Sequence, residues 1–253
     1  MKTFTKIAKI YFSPSSTTRK IVDEIANKFE GTQEEYNLLN AASGNTPKEF
    51  DDDTLVIVGM PIFAGRLPKT ASKKLMNFKG ENIPAIAIVN YGNVNIGDAL
   101  LELNDILKEN GFNIAGTGAT VSQHSIVTDV ATGRPDSKDL EKLNEFVEKC
   151  KEKLDSEEFE DIEVPGNKPY CEYKKVPLAP ICDESLCVYC YECVSSCPEE
   201  AIPETDTDLC SACTACIYAC PEDARYFTGD LFEGMKEKFL ANFSKRKESE
   251  FYL

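Results

Sequence analysis

One run of thiols is written twice in this chain, and that duplication constrains the fold more than any other feature. Leu186-Cys187-x2-Cys190-x2-Cys193-x3-Cys197-Pro198-Glu199 returns 23 residues later as Leu209-Cys210-x2-Cys213-x2-Cys216-x3-Cys220-Pro221-Glu222. None of the 11 cysteines precedes residue 150, and eight lie in this stretch. A secreted disulfide scaffold is usually short and spreads its cysteines along its length, so a cysteine-free half joined to a dense cluster points to metal. Zinc sites use Cys-x2-Cys pairs but do not require the doubled run with its Cys-Pro ending. In that run three cysteines turn toward one iron–sulfur cubane, while the fourth, displaced by the x3 step, ligates the other. The ligand sets are thereby exchanged between repeats. One cluster takes Cys187, Cys190, Cys193 and Cys220, and the other takes Cys210, Cys213, Cys216 and Cys197.

Over residues 180 to 228 the chain resembles the bacterial two-cluster ferredoxins, which implies a small α+β domain over 182–228 with two [4Fe-4S] clusters. It departs from that family after the second cysteine of each run, where Tyr191 and Thr214 stand in place of the common glycine. Cys150, Cys171 and Cys182 have no matching ligand set and are read as structural thiols.

The first half has a different pattern. Apolar runs of strand length, at 7–12, 55–60 and 84–90, alternate with amphipathic stretches, and weaker edge strands are expected at 34–39 and 112–119. This is the order of a doubly wound α/β fold, a parallel sheet of five strands covered by roughly five helices. Helical spacing is clear in Ile21, Val22, Ile25 and Phe29, in Leu100, Leu103 and Leu107, and in a last helix over 137–153. Ligands of such sheets bind outside the carboxyl ends of the strands. There, Ser13-Pro14-Ser15-Ser16-Thr17-Thr18 sets hydroxyls between a strand and a helix, where free N–H groups and the helix dipole attract a phosphate. The competing reading is an ordinary N-cap. Lacking both the Walker and the G-x-G-x-x-G signatures, the loop suits a monophosphate. Two further strands end in glycine beside an aromatic, Pro61-Ile62-Phe63-Ala64-Gly65 and Asn90-Tyr91-Gly92-Asn93, where backbone and ring can approach a flat ligand.

On these three loops residues 3–153 resemble the flavodoxin family, with strand order 2-1-3-4-5 and a domain over 1–154. The resemblance implies FMN, its phosphate on Ser13, Ser15, Ser16, Thr17 and Thr18, and its isoalloxazine between Pro61–Gly65 (Ile62, Phe63 and Ala64 included) and Asn90–Asn93 (Tyr91 and Gly92 included). Ser16 replaces a usual glycine, and the chain has no Trp to stack on the ring. The single histidine, His124, follows the fifth strand in a long connection, Val121 to Pro135, and is read either as a surface residue or as a border of the site.

Residues 155–181, charged and with four prolines, read as a linker, and 229–253 as a C-terminal helix packed on the body through Phe232, Met235, Phe239, Leu240 and Phe243. With 28 basic and 43 acidic residues the net charge is −15, which opposes nucleic acid and anionic membrane alike. No apolar run reaches membrane-spanning length, and a cytoplasmic location is expected. From Asp183 to Asp230 eleven acidic residues face one basic residue, a surface suited to redox partner proteins with basic patches. The fusion resembles ferredoxins carrying an N-terminal flavodoxin-like domain. It implies an electron carrier that joins the one- and two-electron chemistry of FMN to the single electrons of clusters, in low-potential anaerobic metabolism. Neither the donor, the acceptor nor the oligomeric state, a homodimer included, is set by the sequence, and no residue is assigned a catalytic role. The alternative is a flavin-dependent reductase of a quinone or nitro compound fed by the clusters. A redox-sensing module would want an effector domain, and none is recognisable.

Overall fold

The computed structural model describes residues 2–40 and 43–253. Its centre is a sheet of five parallel strands, β1 (Lys6–Tyr11), β2 (Thr32–Asn37), β3 (Thr54–Pro61), β4 (Ile83–Tyr91) and β5 (Phe112–Val121), in the order 2-1-3-4-5. That is the order of flavodoxin-like doubly wound sheets. β4 is buried along its whole length and β3 everywhere but its last residue, Pro61, as their continuous apolar sequences require when both faces are covered. The polar edge strand β2, Thr-Gln-Glu-Glu-Tyr-Asn, stays largely exposed.

Alternate residues of each strand enter two separate cores. Ile7, Leu55, Ile57, Ile86 and Ile88 pack against α1 (Thr17–Ala26) and α4 (Ser137–Ser156) through Ile21, Val22, Ile25, Phe146 and Val147. Ile10, Val56, Val58 and Val89 pack against α2 (Lys69–Leu75) and α3 (Ala99–Glu109) through Leu75, Leu100, Leu103 and Leu107. Aligned registers bring Tyr11, Gly59–Pro61, Asn90–Tyr91 and Val121 to one edge of the sheet, and the binding loops start there. Four helices cover this sheet rather than five. The described residues between β2 and β3 form none, because Ser43-Gly44-Asn45-Thr46-Pro47 is a run of turn formers.

The tail also differs from a single helix. α5 (Asp230–Phe243) is followed by a short strand, β6 (Glu250–Tyr252), that pairs antiparallel with β5. It covers what would otherwise be an open sheet edge. Phe251 stacks on Phe146 at 4.6 Å and lies where a Cβ on Gly118 would meet its ring at 2.4 Å.

Residues 157–180 contain neither helix nor strand but are fastened to α3. Asp98 accepts from the N–H of Asn167 (2.9 Å) and Cys171 (2.7 Å), and Lys168 pairs with Asp105 at 2.8 Å. The buried Arg66–Glu102 pair (2.8 Å) is stacked between Tyr170 and Tyr173. This connection is a strap, not a free tether. Beyond it, Ile181–Cys182 pairs antiparallel with Arg225–Tyr226, and each cysteine run ends in a one-turn helix, Glu192–Ser195 or Ala215–Tyr218. A third core of Leu178, Ala212 and Phe227 joins this part to Ile126 and α5. Among the described residues no helix is long and apolar enough to cross a membrane.

Candidate functional site

α1 opens in an unusual way. Its N-cap, Ser16, sits in the left-handed region at φ 62°, and its side chain caps nothing. The buried Ser13 hydroxyl instead accepts from the Arg19 N–H at 3.0 Å, and Ser15 and Thr17 hydroxyls lie 3.3 Å apart. The Thr17 and Thr18 N–H groups of the first turn, which no side chain caps, with no acidic residue there to occupy the dipole, suit an anion better than the ordinary N-cap does. The positive φ at Ser16 explains why glycine is the easier residue at this position.

Ser15, Thr18, Pro61, Ile62, Phe63, Asn90 and Gly92 line one cavity of about 60 Å³, together with Ser122–Ser125. A second cavity, of about 290 Å³, shares Ile62, Phe63, Gly92, His124 and Ser125 with it and adds Ala64, Gly65 and Tyr91. Of the remaining residues expected at the site, Thr17 faces a neighbouring cleft, and Asn93 does other work. Its amide donates to Phe243 O (2.6 Å) and Lys245 O (2.9 Å) and accepts from Lys247 N (3.0 Å), clamping the tail beside the cavities.

His124 belongs to the site. Its Nδ1 accepts from the N–H groups of Ile126 (3.2 Å) and Val127 (3.0 Å), which leaves the proton on Nε2. Its ring meets Phe239 edge-on at 5.1 Å, and a Cβ on Gly92 would lie 2.6 Å from its Cδ2. Burial pushes its pKa down to about 4, so the imidazole is neutral at physiological pH. The length of the Val121–Pro135 connection was the sequence signal for this loop. The sequence marks Met235 and Phe239 of α5 only as a packing stripe and Cys213 only as a cluster ligand, and nothing in it places them, with Ser211 and Ala212, in the walls of these cavities. The Ser211 hydroxyl, in the wall of the larger cavity, is buried with no oxygen or nitrogen partner, its neighbour being the Cys213 thiol.

The cysteine repeat is also a repeat of backbone. Tyr189 and Ala212, Tyr191 and Thr214, and Glu200 and Asp223 are pairs 23 residues apart, and all six have positive φ. In both copies the first sulfur accepts an N–H two residues on (Tyr189 N to Cys187 and Ala212 N to Cys210, 3.4 Å each). The fourth sulfur accepts one four residues on (Ala201 N to Cys197 and Ala224 N to Cys220, 3.3 Å each). Such N–H···S bonds favour a thiolate.

Cys187, Cys190, Cys193 and Cys220 line one cavity, with Cys182 beside them. The charge of Cys197 acts on Cys210, Cys213 and Cys216 of the other run. Each fourth cysteine thus lies with the partner repeat. Among the described residues no group of three His, Cys, Asp or Glu side chains is placed to hold a single metal ion. The two sets differ in exposure. Cys213 and Cys216 are buried and Cys190 is exposed, and burial pushes the Cys213 and Cys216 thiols up to about 12. Cys150 is buried in the sheet core and Cys171 is exposed on the strap.

No curated protein matches the chain. Solved structures similar to it include a flavodoxin from the domain Archaea (14% identity, TM-score 0.40, covering 59% of this chain and 99% of that one). Another is the Fusobacterium nucleatum flavodoxin bound to flavin mononucleotide (15%, TM-score 0.39, 58% and 98%). A third is the rubredoxin oxygen:oxidoreductase of the anaerobe Desulfovibrio gigas (15%, TM-score 0.40), which matches 61% of this chain while only 37% of its own length is covered. The family model of the 4Fe-4S binding domain matches residues 183–202 and 203–226, so each copy of the cysteine run is similar to a 4Fe-4S binding domain.

Proposed function

We propose that this chain is an electron carrier that holds FMN at the carboxyl edge of its sheet and two [4Fe-4S] clusters on its exchanged cysteine sets. When bound, the flavin would supply one- or two-electron exchange and the clusters one-electron exchange. The free N–H groups of Thr17 and Thr18 at the start of α1 and the hydroxyls of Ser15 and Thr18 would hold the phosphate. Phe63, Tyr91 and Gly92 would flank the ring, with the His124 Nε2–H as a neutral donor at its border. The observation that carries this reading is that Cys213 lines the same cavity as Ser15, Thr18 and Asn90. The inner cysteine set and the flavin site therefore share a wall.

The outer set opens on a face with Val188, Tyr189 and Tyr191 about 60% exposed, within the acidic stretch. Exposed apolar groups ringed by charge mark a docking face, and its sign calls for a basic partner. The strap (Lys174, Val176) and α5 (Met235, Phe239) line the larger cavity. Anaerobically purified protein should carry about one flavin and about eight irons per chain, and photoreduction of its flavin should bring up cluster EPR signals. Colourless protein holding only zinc overturns the reading. Steady reduction of a small quinone, abolished by Phe63→Ala, would replace the carrier with the reductase.

A further inference from the structure

Arg225 is the one basic residue between Asp183 and Asp230, and it is only 4% exposed. A guanidinium buried so deeply ordinarily has a carboxylate partner. Here Nη1 donates to the Thr205 hydroxyl (2.9 Å) and Nη2 to the Pro203 carbonyl (3.0 Å), both neutral acceptors, Nε is buried without an oxygen or nitrogen partner, and the further side chain that bonds the guanidinium is the Cys193 thiol. The groups that act on its charge are the thiols of Cys193, Cys216 and Cys182, not carboxylates. Arg225 also lines the cavity of Cys187, Cys190, Cys193 and Cys220, and its short strand pairs it with Cys182 on the rim of that cavity.

We infer that Arg225 is the counter-charge of the outer cluster and makes it the more easily reduced of the two. This rests on the cluster assignment proposed above. A cubane held by four thiolates is an anion, and each electron it accepts adds negative charge. A fixed cation beside its sulfurs favours the reduced form, since net charge and hydrogen bonds to sulfur set such potentials. The Arg225 charge also reaches Cys216 of the inner set, but Arg225 lines the cavity of the outer set and its side-chain bond is to Cys193 of that set. The bias therefore draws electrons from the flavin side toward the exposed face, giving the carrier a direction.

The test is an EPR-monitored redox titration of the anaerobic full-length protein, its Arg225→Gln variant and its Arg225→Lys variant. The outer signal is identified by its change in Cys190→Ser. Arg225→Gln should shift the outer cluster's one-electron reduction equilibrium about tenfold toward the oxidised form, about 59 mV, and move the inner cluster less. Arg225→Lys, which keeps the charge, should restore most of it. Unmoved potentials, or equal shifts in both clusters, overturn the inference. If the Gln variant fails to load iron, the Lys variant decides: loading with a near-native outer potential supports a role for the charge, and failure to load shows that Arg225 serves only to pack Pro203 and Thr205. A wild-type protein with no cluster signal would instead bring down the proposed function.

Discussion

The clearest handle on the flavin-site loop is its imidazole, because the chain has only one histidine. Burial lowers the His124 pKa from its usual 6.5 to about 4. A depressed histidine pKa means that the unfolded chain binds a proton that the folded one refuses. Its contribution to stability is then fully present above 6.5 and is lost as pH falls toward 4. From pH 7 to pH 5 this linkage removes about 2 kcal/mol. His124→Asn is the informative perturbation, since an Asn side-chain oxygen can accept from the N–H groups two and three residues on, as Nδ1 does for Ile126 and Val127. The lost contact with Phe239 costs the variant about 1 kcal/mol at every pH, so the slope is diagnostic and the offset is not. Urea midpoints followed by circular dichroism near pH 7 and near pH 5 should show the wild type losing about 2 kcal/mol more than the variant. The single ¹³Cε1–H resonance should titrate far below 6.5. Parallel slopes, or a resonance titrating at the ordinary histidine value, would refute a buried neutral imidazole in the cavity wall.

Three further outcomes follow from the packing. Glu102→Gln takes the charged partner from Arg66 while both are buried. It should cost about 3–5 kcal/mol, read as a lower unfolding midpoint, and should speed proteolysis of the strap over 166–173. Asn93→Ala removes three hydrogen bonds that hold residues 243–247. A loss of about 2–3 kcal/mol should appear as faster amide exchange in 244–252, with exchange in β3 unchanged. Gly92→Ala drives a Cβ to 2.7 Å from the His124 Cα, a backbone clash. Bound flavin per chain should fall, and overpacking should cost about 1–3 kcal/mol, so full flavin content at wild-type stability would show that the loop gives way freely.

The parts of the molecule legible in the sequence are those fixed by short-range physics. Strands such as Leu-Val-Ile-Val-Gly-Met declare themselves because a run buried on both faces must be apolar throughout, and the cysteine spacing carries its own geometry in every x2 and x3 step. Asn93 shows the opposite case. Next to Tyr91 and Gly92 it reads as part of the ring loop, yet its amide is used by a tail 150 residues away, a relation that no local pattern contains. The tail itself was legible only as far as its helical stripe ran. β6 takes shape because β5 offers an unpaired edge, and an edge is a property of the assembled sheet.

The same distinction separates the two cysteine runs. In sequence they are copies, and even their left-handed residues repeat at the same offset. Their chemistry differs because Ala212 and Cys213 are pressed into the wall of the proposed flavin-site cavities, with Thr214 buried beside them, while Tyr189, Cys190 and Tyr191 face solvent. Desolvation acts on one set and water on the other, and the one basic residue between Asp183 and Asp230, the buried Arg225, lies at the outer set's cavity. Identical ligand spacing thus yields two unequal sites. The inequality that would give electron flow a direction comes from docking one run against the sheet and from the buried Arg225 beside the other, not from the ligand spacing.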